Sequence, residues 1–301
     1  MLLRSLLFVP GNRANMLEKA LGLDPGAENR NGSALPDAFI PDMEDSVPEA
    51  EKANARGMIA QYLPRLAETG VAVIPRVNAL DSGLIEDDLK AIVGPHIQGV
   101  SVGKIGTATD IARVSELLDP LEDAAGLEPG TVRIVPWVET ALAVVNVFDI
   151  ASSSRVEAVA FGAEDFTNDM EIERTDSDAE IAYPRAAVAI AAKAAGVLAL
   201  DTPFFRFRDI DGLKRDALTA RGLGFRGKCA IHPDQLAPIN EAFSPTEVEL
   251  QNARRVVDAF EEAERAGSAS TSLDGMVIDV PVVRRARALL AMSAEIEGRR
   301  S

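Results

Sequence analysis

Eight short apolar runs, each bounded by turn residues, alternate along the chain with longer stretches of helical periodicity. The runs are rich in Val and Ile and are apolar on both faces, which is typical of strands in a parallel sheet. Because the connections between runs and helical stretches are short, the alternation indicates consecutive βα units. The predicted strands are residues 2–9, 38–43, 71–77, 99–105, 132–138, 158–162, 197–202 and 227–231.

An amphipathic stretch follows each predicted strand, and each of these stretches predicts a helix. Eight units in about 245 residues favour a closed (β/α)8 TIM barrel of the α/β class over an open doubly wound sheet, which usually has fewer strands. The first predicted strand is not followed by a GxGxxG motif, which would indicate a dinucleotide-binding turn. The predicted helices are residues 13–23, 48–66, 84–93, 108–118, 140–150, 178–195, 210–221 and 234–242.

The chain continues beyond the eighth unit, and its composition there predicts a separate extension. We expect a barrel domain over residues 1–243 and a C-terminal helical extension over residues 244–301. Residues 24–36 lack apolar periodicity and predict an irregular surface loop. Within the extension we expect a charged helix at 246–266, a linker at 267–272, an apolar segment at 275–281 and a final helix at 282–297.

The charge balance limits the classes of partner. The chain has 31 Lys and Arg against 47 Asp and Glu, for a formal net charge of −16. Such a field repels nucleic acid backbones and anionic lipid, so we expect neither as a partner. The single cysteine, Cys229, excludes an internal disulfide and a cysteine-built metal site. With no targeting segment at the start and no apolar run of about 20 residues, we expect a cytoplasmic protein.

Charged and polar side chains follow nearly every predicted strand. In TIM barrels the carboxyl ends of the strands converge on the active site, so these groups are expected at one mouth. Their mutual repulsion would be unfavourable without a ligand or a metal ion, although any one of them could be a helix cap or surface ion pair. They are Arg13, Asp42, Glu44, Asp45, Arg76, Asn78, Lys104, Glu139, Glu164, Asp165, Asp201 and His232.

Three of these positions suggest specific chemistry. Glu139 and Asp165 follow adjacent strands, and oxygen ligands completed by water and substrate are what Mg²⁺ prefers, with Mn²⁺ as a substitute. Arg76 could bind a carboxylate or a developing enolate oxygen, or it could pair with Glu44 or Asp45. No second histidine stands near His232 in the sequence, so a zinc site is not expected there.

Seven motifs, in this order, resemble those of one known family. The sequence is similar to the HpcH/HpaI aldolase and citrate lyase β-subunit family, especially the stand-alone malyl-CoA and citramalyl-CoA lyases of the CitE type. The resemblance covers nearly the whole chain. The motifs are RSLLFVPGNR at 4–13, DMEDSV at 42–47, PRVN at 75–78, VET at 138–140, GAED at 162–165, GKCAIHP at 227–233 and MVIDVP at 276–281.

The resemblance implies roles for residues in the barrel. In the family the fold is a TIM barrel, and the residues that match Phe8, Arg13 and Lys19 hold the coenzyme A nucleotide. The resemblance further implies that Arg76 binds the substrate and that Glu139 and Asp165 are the Mg²⁺ ligands. We add Glu44 and Asp45, which belong to the motif DMEDSV at 42–47, to the catalytic candidates.

The resemblance also assigns a role to Asp279, which spacing alone would identify as a helix N-cap. In the family the matching aspartate is a general acid/base in the active site of a neighbouring subunit. This role implies a homo-oligomer, trimeric or hexameric. An apolar tail that needs a surface to cover agrees with such an assembly.

Together these features predict a Mg²⁺-dependent acyl-CoA lyase. The substrate would be a 3-hydroxyacyl-CoA dicarboxylate of the citramalyl-CoA, malyl-CoA or citryl-CoA type, cleaved to acetyl-CoA and a 2-oxo acid. Three alternatives remain open: a (3S)-malyl-CoA-type thioesterase on the same site, a citrate lyase β subunit acting on a carrier-bound thioester, and an aldolase for free hydroxy acids. A difference of one small substituent on the acyl group is worth only about 1–3 kcal/mol of discrimination, so the motifs do not identify it.

Overall fold

The computed structural model describes residues 1–23, 34–175 and 177–298, which form two compact units. The larger unit is Leu3–Asn240, and the smaller one contains Met1–Leu2 and the described residues from Glu241 onward. Ten residues of the predicted loop at 24–36 lie outside the described residues. No helix within the described ranges is long and apolar enough to cross a bilayer.

Parallel strands close the larger unit into a barrel. β1 pairs with both β2 and β9, so the sheet has no free edge between its first and last strands. β3 and β4 are two pieces of one barrel strand, which gives eight strands around the barrel and confirms the predicted (β/α)8 fold. The strands are β1 (Ser5–Pro10), β2 (Ala38–Asp42), β3 (Ala72–Val73), β4 (Arg76–Val77), β5 (Gly99–Val102), β6 (Arg133–Val138), β7 (Ala158–Phe161), β8 (Leu198–Asp201) and β9 (Gly227–Ala230).

Helices follow the strands, with two departures from the predicted pattern. The stretch predicted as one helix at 140–150 is two short helices separated at Asn146. Helix α7 was not predicted, because seven residues are too few to show a helical period. The helices of this part of the chain are α1 (Ala14–Leu21), α2 (Lys52–Glu68), α3 (Ile85–Ile92), α4 (Ala108–Ala124), α5 (Ala141–Val145), α6 (Val147–Ala151), α7 (Ala163–Asp169), α8 (Ala182–Ala195), α9 (Ile210–Leu223) and α10 (Leu236–Ala242).

Apolar side chains from the strands fill the inside of the barrel. Leu6, Ile40, Trp137, Leu200 and Cys229 belong to one buried cluster, and partly buried Phe8 packs against it. A filled interior of this kind is a core and not a pore. Burial raises the pKa of the Cys229 thiol to about 12, so this side chain contributes to packing and not to reactivity.

The smaller unit contains two long helices and a hairpin. α11 (Glu247–Arg265) and α12 (Val280–Gly298) pack against each other, and the antiparallel strands β10 (Thr271–Leu273) and β11 (Met276–Ile278) connect them, with Ile278 buried against both helices. Asp274 and Gly275 form the turn, both with positive φ as a two-residue hairpin requires. The hairpin corrects the expectation of a linker through residue 272, since Thr271 already pairs with Ile278.

Close contact between β9 and the segment that enters β1 leaves no room for a side chain at Gly227. A Cβ there would lie 1.7 Å from the carbonyl oxygen of Leu3. Because the blocking atom is backbone just before a paired strand, we expect Gly227→Ala to lower the free energy of unfolding by about 3 kcal/mol or more. Urea denaturation measures this loss.

Gly57 provides the matched control. It lies in α2, and a Cβ there would meet nothing within 4 Å. We expect Gly57→Ala to raise the free energy of unfolding by about 0.5–1 kcal/mol, because alanine loses less backbone entropy than glycine in a helix. Equal stability of the two variants would contradict the close approach at Gly227.

Candidate active site

A cavity of about 350 Å³ is lined by residues at the carboxyl ends of the barrel strands. Its size suits a small organic ligand. The apolar residues of its lining include Phe8, Trp137 and Phe205. The charged residues of its lining are Asp42, Asp45, Arg76, Glu139, Glu164 and Asp165. Several of the residues expected at the strand ends therefore share one concave surface, on which acids outnumber cations.

Arg76 and Asp42 form a bidentate ion pair at the ends of two neighbouring strands. Asp42 lies opposite Arg76 in the sheet register, and its two carboxylate oxygens accept hydrogen bonds of 2.7 Å from Nε and Nη2. The remaining terminal nitrogen, Nη1, lies 3.0 Å from Glu44 Oε2 and 3.2 Å from Asp45 Oδ2. The pairing with Glu44 and Asp45 that the sequence left open is present, but Asp42 is the main partner.

The ion pair keeps both groups charged. Burial alone would raise the pKa of Asp42, but the charge and hydrogen bonds of Arg76 hold it below its ordinary value. Burial opposes the charged form of Arg76 as well, and the surrounding carboxylates nevertheless raise its pKa. The guanidinium also lies 4.8 Å from the centre of the Phe8 ring, a favourable cation–π distance. Arg76 thus presents a fixed positive charge to the cavity.

Glu139, which directly follows β6, and Asp165, in the first turn of α7, are brought together. Glu139 is 3% exposed, and burial, reinforced by repulsion from Asp165 and Glu44, raises its pKa to about 8. Burial and repulsion from Asp45 raise the pKa of Asp165 too. The backbone N–H of Lys104 donates a 2.5 Å hydrogen bond to Glu139 Oε1, which leaves the other oxygen facing the site.

Glu44 is the third acid whose environment disfavours its charge. Burial raises its pKa to about 7, and repulsion from Asp45 adds to this shift, although the attraction of Arg76 opposes it. Among the described residues its Oε1 is buried without a hydrogen-bond partner, and Lys104 Nζ lies 3.5 Å away.

Carboxylate oxygens that repel one another, one of them lacking a donor, fit a hard divalent cation. Across residues 1–23, 34–175 and 177–298 no three His, Cys, Asp or Glu side chains are arranged to hold an ion by themselves. Water and substrate would therefore supply the remaining ligands.

Two glycines allow these carboxylates to converge. A Cβ at Gly103 would lie 2.8 Å from Glu44 Oε1 and 3.1 Å from Glu139 Oε1. A Cβ at Gly162 would lie 2.8 Å from both Cβ and Oε2 of Glu139. Neither glycine was singled out from the sequence, although both stand at strand ends next to candidate residues.

Lys104 was noted at a strand end but not assigned to the site. Its φ of +56° is unusual for a residue other than glycine, and strained backbone of this kind tends to occur at functional sites. Attraction from Glu44, Asp45 and Glu139 outweighs burial and raises its pKa. Lys104 therefore adds a second cation beside these acids.

The three residues predicted to hold a nucleotide lie in two places. Phe8 lines the cavity at the end of β1. Arg13 and Lys19 lie on the following segment and helix, where both are exposed. In the part of the chain that the structure describes, neither side chain has an acidic or hydrogen-bonding partner, whereas neighbouring Glu18 is engaged by Arg65. Two unpaired cations in so acidic a chain are available to an anionic ligand.

Asp279 belongs to the smaller unit. Its Oδ1 accepts a hydrogen bond of 3.3 Å from the backbone N–H of Val282, at the start of α12. This is the helix cap that spacing alone indicated. Met276, Val277 and Val280 around it are 64%, 70% and 49% exposed, an unusual amount of apolar surface for so short a segment.

His232 contacts its own turn and one aromatic ring. Its Nδ1 accepts a hydrogen bond from the backbone N–H of Asp234, and its ring stacks on Phe207 with 5.1 Å between centroids. These contacts agree with a structural role.

Comparison with known proteins identifies relatives over nearly the whole length. The model of the HpcH/HpaI aldolase/citrate lyase family matches residues 4–233. The citrate lyase subunit beta of Leuconostoc mesenteroides subsp. cremoris is 34% identical over 96% of this chain and 93% of its own length. The (3S)-malyl-CoA thioesterase of Cereibacter sphaeroides is 32% identical over 97% of this chain and 95% of its own length. The mitochondrial citramalyl-CoA lyase of Mus musculus is 29% identical over 98% of this chain and 87% of its own length.

A solved structure is similar as well. The CitE protein of Mycobacterium tuberculosis, in complex with magnesium, acetoacetate and coenzyme A, superposes with a TM-score of 0.77. It is 27% identical in sequence, and the match covers 96% of this chain and 97% of that one.

The raised pKa of Glu139 predicts how stability depends on pH. Its value of about 8 exceeds the ordinary 4.5, so the folded chain holds this proton more tightly than the unfolded chain. The resulting stabilisation is complete below pH 4.5 and is lost as the pH rises through 8. With divalent cations chelated, we expect the free energy of unfolding of the wild type to fall relative to Glu139→Gln over this range.

Urea denaturation at a series of pH values measures the difference. Glu116→Gln, which changes an exposed glutamate of α4, is the control and should track the wild type throughout. Added Mg²⁺ should restabilise the wild type and not Glu139→Gln, because a ligand that binds only the folded state stabilises it. A constant difference between wild type and Glu139→Gln at all pH values would contradict the burial of this acid in the folded protein.

Proposed function

Because the chain belongs to the HpcH/HpaI aldolase/citrate lyase family, we propose that it is a Mg²⁺-dependent acyl-CoA lyase. The substrate is a 3-hydroxyacyl-CoA dicarboxylate of the citramalyl-CoA, malyl-CoA or citryl-CoA type, and the products are acetyl-CoA and a 2-oxo acid. One observation carries the proposal: Glu139 and Asp165 line the same cavity as the fixed charge of Arg76, and Glu44 contacts that charge.

Glu139 and Asp165 would hold Mg²⁺, or Mn²⁺ in its place. When bound, the ion lowers the pKa of the substrate hydroxyl and polarises the oxygen that becomes the product carbonyl. Glu139 is suited to this position because Lys104 holds only one of its oxygens.

Proton transfer from the substrate hydroxyl is assigned to Glu44. Its pKa of about 7 lets it accept a proton at neutral pH, and its Oε1 has no hydrogen-bond partner in the described chain. As the hydroxyl proton passes to Glu44, the C–O bond becomes a carbonyl and the adjacent carbon–carbon bond breaks. The electron pair of that bond moves into the thioester, which becomes an enolate.

Arg76 stabilises the enolate. Its guanidinium is fixed by Asp42 before substrate binds, with Asp45 beside Nη1, so it need not reorganise during the reaction. A preorganised contact of this kind is worth about 3–4 kcal/mol in a site that excludes water.

Asp279 of a neighbouring subunit donates the proton that converts the enolate carbon to the methyl group of acetyl-CoA. In the condensation direction the same carboxylate removes that proton. The exposed apolar side chains of Met276, Val277 and Val280 support the contact with a neighbour, because such a surface is suited to burial in an assembly. We therefore propose a homo-oligomer, trimeric or hexameric.

Phe8, Arg13 and Lys19 are the residues assigned to the coenzyme A part of the substrate. The two cations are exposed and unpaired within the described ranges, and the charge of phosphate groups would complement them. This arrangement favours a coenzyme A thioester over a free hydroxy acid. It also weighs against a carrier-bound thioester, which would not need a grip on the nucleotide.

A thioesterase is the second candidate, because a (3S)-malyl-CoA thioesterase is 32% identical to this chain. In that reaction water attacks the thioester and the carbon–carbon bond survives. The two reactions use the same residues and differ in their products.

The decisive experiment is a product assay with malyl-CoA, citramalyl-CoA and citryl-CoA in the presence of Mg²⁺. We expect acetyl-CoA and a 2-oxo acid from at least one substrate, and no turnover by Glu139→Gln. Chromatography that resolves acetyl-CoA from free coenzyme A is the measurement. Free coenzyme A with intact hydroxy acid would establish the thioesterase, and no reaction with any of the three would leave the carrier-bound or free-acid substrates.

The role of Asp279 predicts the effect of Asp279→Asn. We expect kcat to fall by about 10²–10⁴-fold, as is typical when a general acid is removed, while substrate binding is retained. Asp258→Asn, in α11 of the same unit, is the control and should retain activity.

Mixing inactive chains tests whether the site is shared between subunits. Co-refolded Asp279→Asn and Glu139→Gln chains should recover part of the activity, because some sites then contain both wild-type residues. A full cleavage rate in Asp279→Asn alone would refute the assignment, and no recovery in the mixture would place Asp279 in the site of its own subunit.

A further inference from the structure

Helix α7, which carries Asp165 in its first turn, begins without a side-chain cap of its own. The residue before it is Gly162, which offers no acceptor. Ser, Thr, Asp and Asn are preferred at this position because their side chains accept hydrogen bonds from the first amides of the helix. Here they are excluded, since a Cβ would lie 2.8 Å from Glu139. Because Glu139 packs so closely against Gly162, helix α7, which carries Asp165, lacks the usual capping side chain.

Thr202 supplies an acceptor from the neighbouring strand. The N–H of Ala163, the first residue of α7, donates a hydrogen bond of 3.2 Å to Thr202 Oγ1. Thr202 directly follows β8, is 1% exposed and lines the cavity. An otherwise unsatisfied amide of α7 is therefore held by a residue 39 positions away in the chain.

A buried charge network fixes Thr202 in turn. Lys228 Nζ, at 0% exposure, donates a hydrogen bond of 2.7 Å to the carbonyl oxygen of Thr202. The same ammonium lies 2.5 Å from Asp201 Oδ2 and 2.6 Å from Asp216 Oδ2. Arg185 pairs with both of these carboxylates, at 2.6 and 2.7 Å. Two cations and two anions balance, as buried charges require, and this network was not anticipated from the sequence.

We propose that Thr202 is a positioning residue of the metal site, which holds the first turn of α7 so that Asp165 faces Glu139. The inference rests on the proposed role of these two acids as metal ligands. Outer-shell partners of this kind typically change metal affinity by about 10–100-fold when they are removed.

Binding of Mn²⁺ to the purified full-length protein, followed by electron paramagnetic resonance, tests the proposal without reference to turnover. We expect Thr202→Val, which keeps the shape and removes the hydroxyl, to weaken Mn²⁺ binding by about 10–100-fold. Thr202→Ser, which keeps the hydroxyl, should restore most of the affinity. Should the valine variant fail to fold, Thr202→Ala removes the same hydroxyl and cannot overpack the site.

Thr246→Val is the matched control for a lost helix cap. Thr246 Oγ1 accepts a hydrogen bond of 3.2 Å from the N–H of Glu249 at the start of α11, in the smaller unit. Its removal should lower the urea midpoint of unfolding about as much as Thr202→Val does, and it should leave Mn²⁺ binding unchanged. This comparison separates a local effect on α7 from a general loss of stability.

Hydrogen exchange adds a readout that needs no metal. In metal-free protein, Thr202→Val should raise exchange in peptides that cover residues 158–170, and Thr202→Ser should not. Wild-type Mn²⁺ affinity in the valine or alanine variant, or equal losses in the valine and serine variants, would overturn the inference. A wild-type protein that binds no Mn²⁺ would overturn the proposed metal site and this inference with it. Mn²⁺ binding by the wild type and by Thr202→Ser, together with weakened binding by Thr202→Val, would support both.

Discussion

The ion pair between Arg76 and Asp42 is the interaction on which the rest of the site depends. It joins two neighbouring strands at their carboxyl ends and places a permanent cation in a cavity whose other charged lining residues are acids. Nη1 of the same guanidinium contacts Glu44 and Asp45, and its positive charge attracts both carboxylates. Removing one partner of such a pair leaves a buried charge uncompensated, which typically costs about 3–5 kcal/mol. The ion pair between Arg76 and Asp42 therefore contributes both to the stability of the barrel mouth and to its electrostatic character.

Beyond this pair, the site holds more negative charge than its own cations neutralise. Lys104 is the second cation, yet the pKa values of Glu44 and Glu139 remain raised to about 7 and about 8. Burial is the main cause, and mutual repulsion adds to it. A divalent cation would offset both the burial and the repulsion of these carboxylates. This gives a physical reason for the close packing of the acids, which Gly103 and Gly162 permit because they have no side chain. The same packing deprives α7 of its own cap and makes it dependent on Thr202.

Much of the fold could be predicted because its signals are local. The alternation of short apolar runs and amphipathic stretches identified eight barrel strands, since both faces of a parallel strand are buried. The departures have local causes too. α7 is too short for its period to appear, and the β10–β11 hairpin stands in a segment whose Gly and Ser content is typical of a linker. The candidate site was predicted from the rule that strand ends converge, which brought Glu139, Asp165 and Arg76 to one cavity.

By itself the sequence determined the barrel architecture, the acids and the arginine of the cavity, and the motifs of a known family, because periodicity and motif order are properties of neighbouring residues. Only the tertiary structure decided which groups act on one another. Asp42 rather than Glu44 is the main partner of Arg76, Lys104 presents its backbone N–H to Glu139, and Thr202 caps α7. Each contact joins residues more than 30 positions apart, so it depends on how the strands lie side by side around the closed barrel.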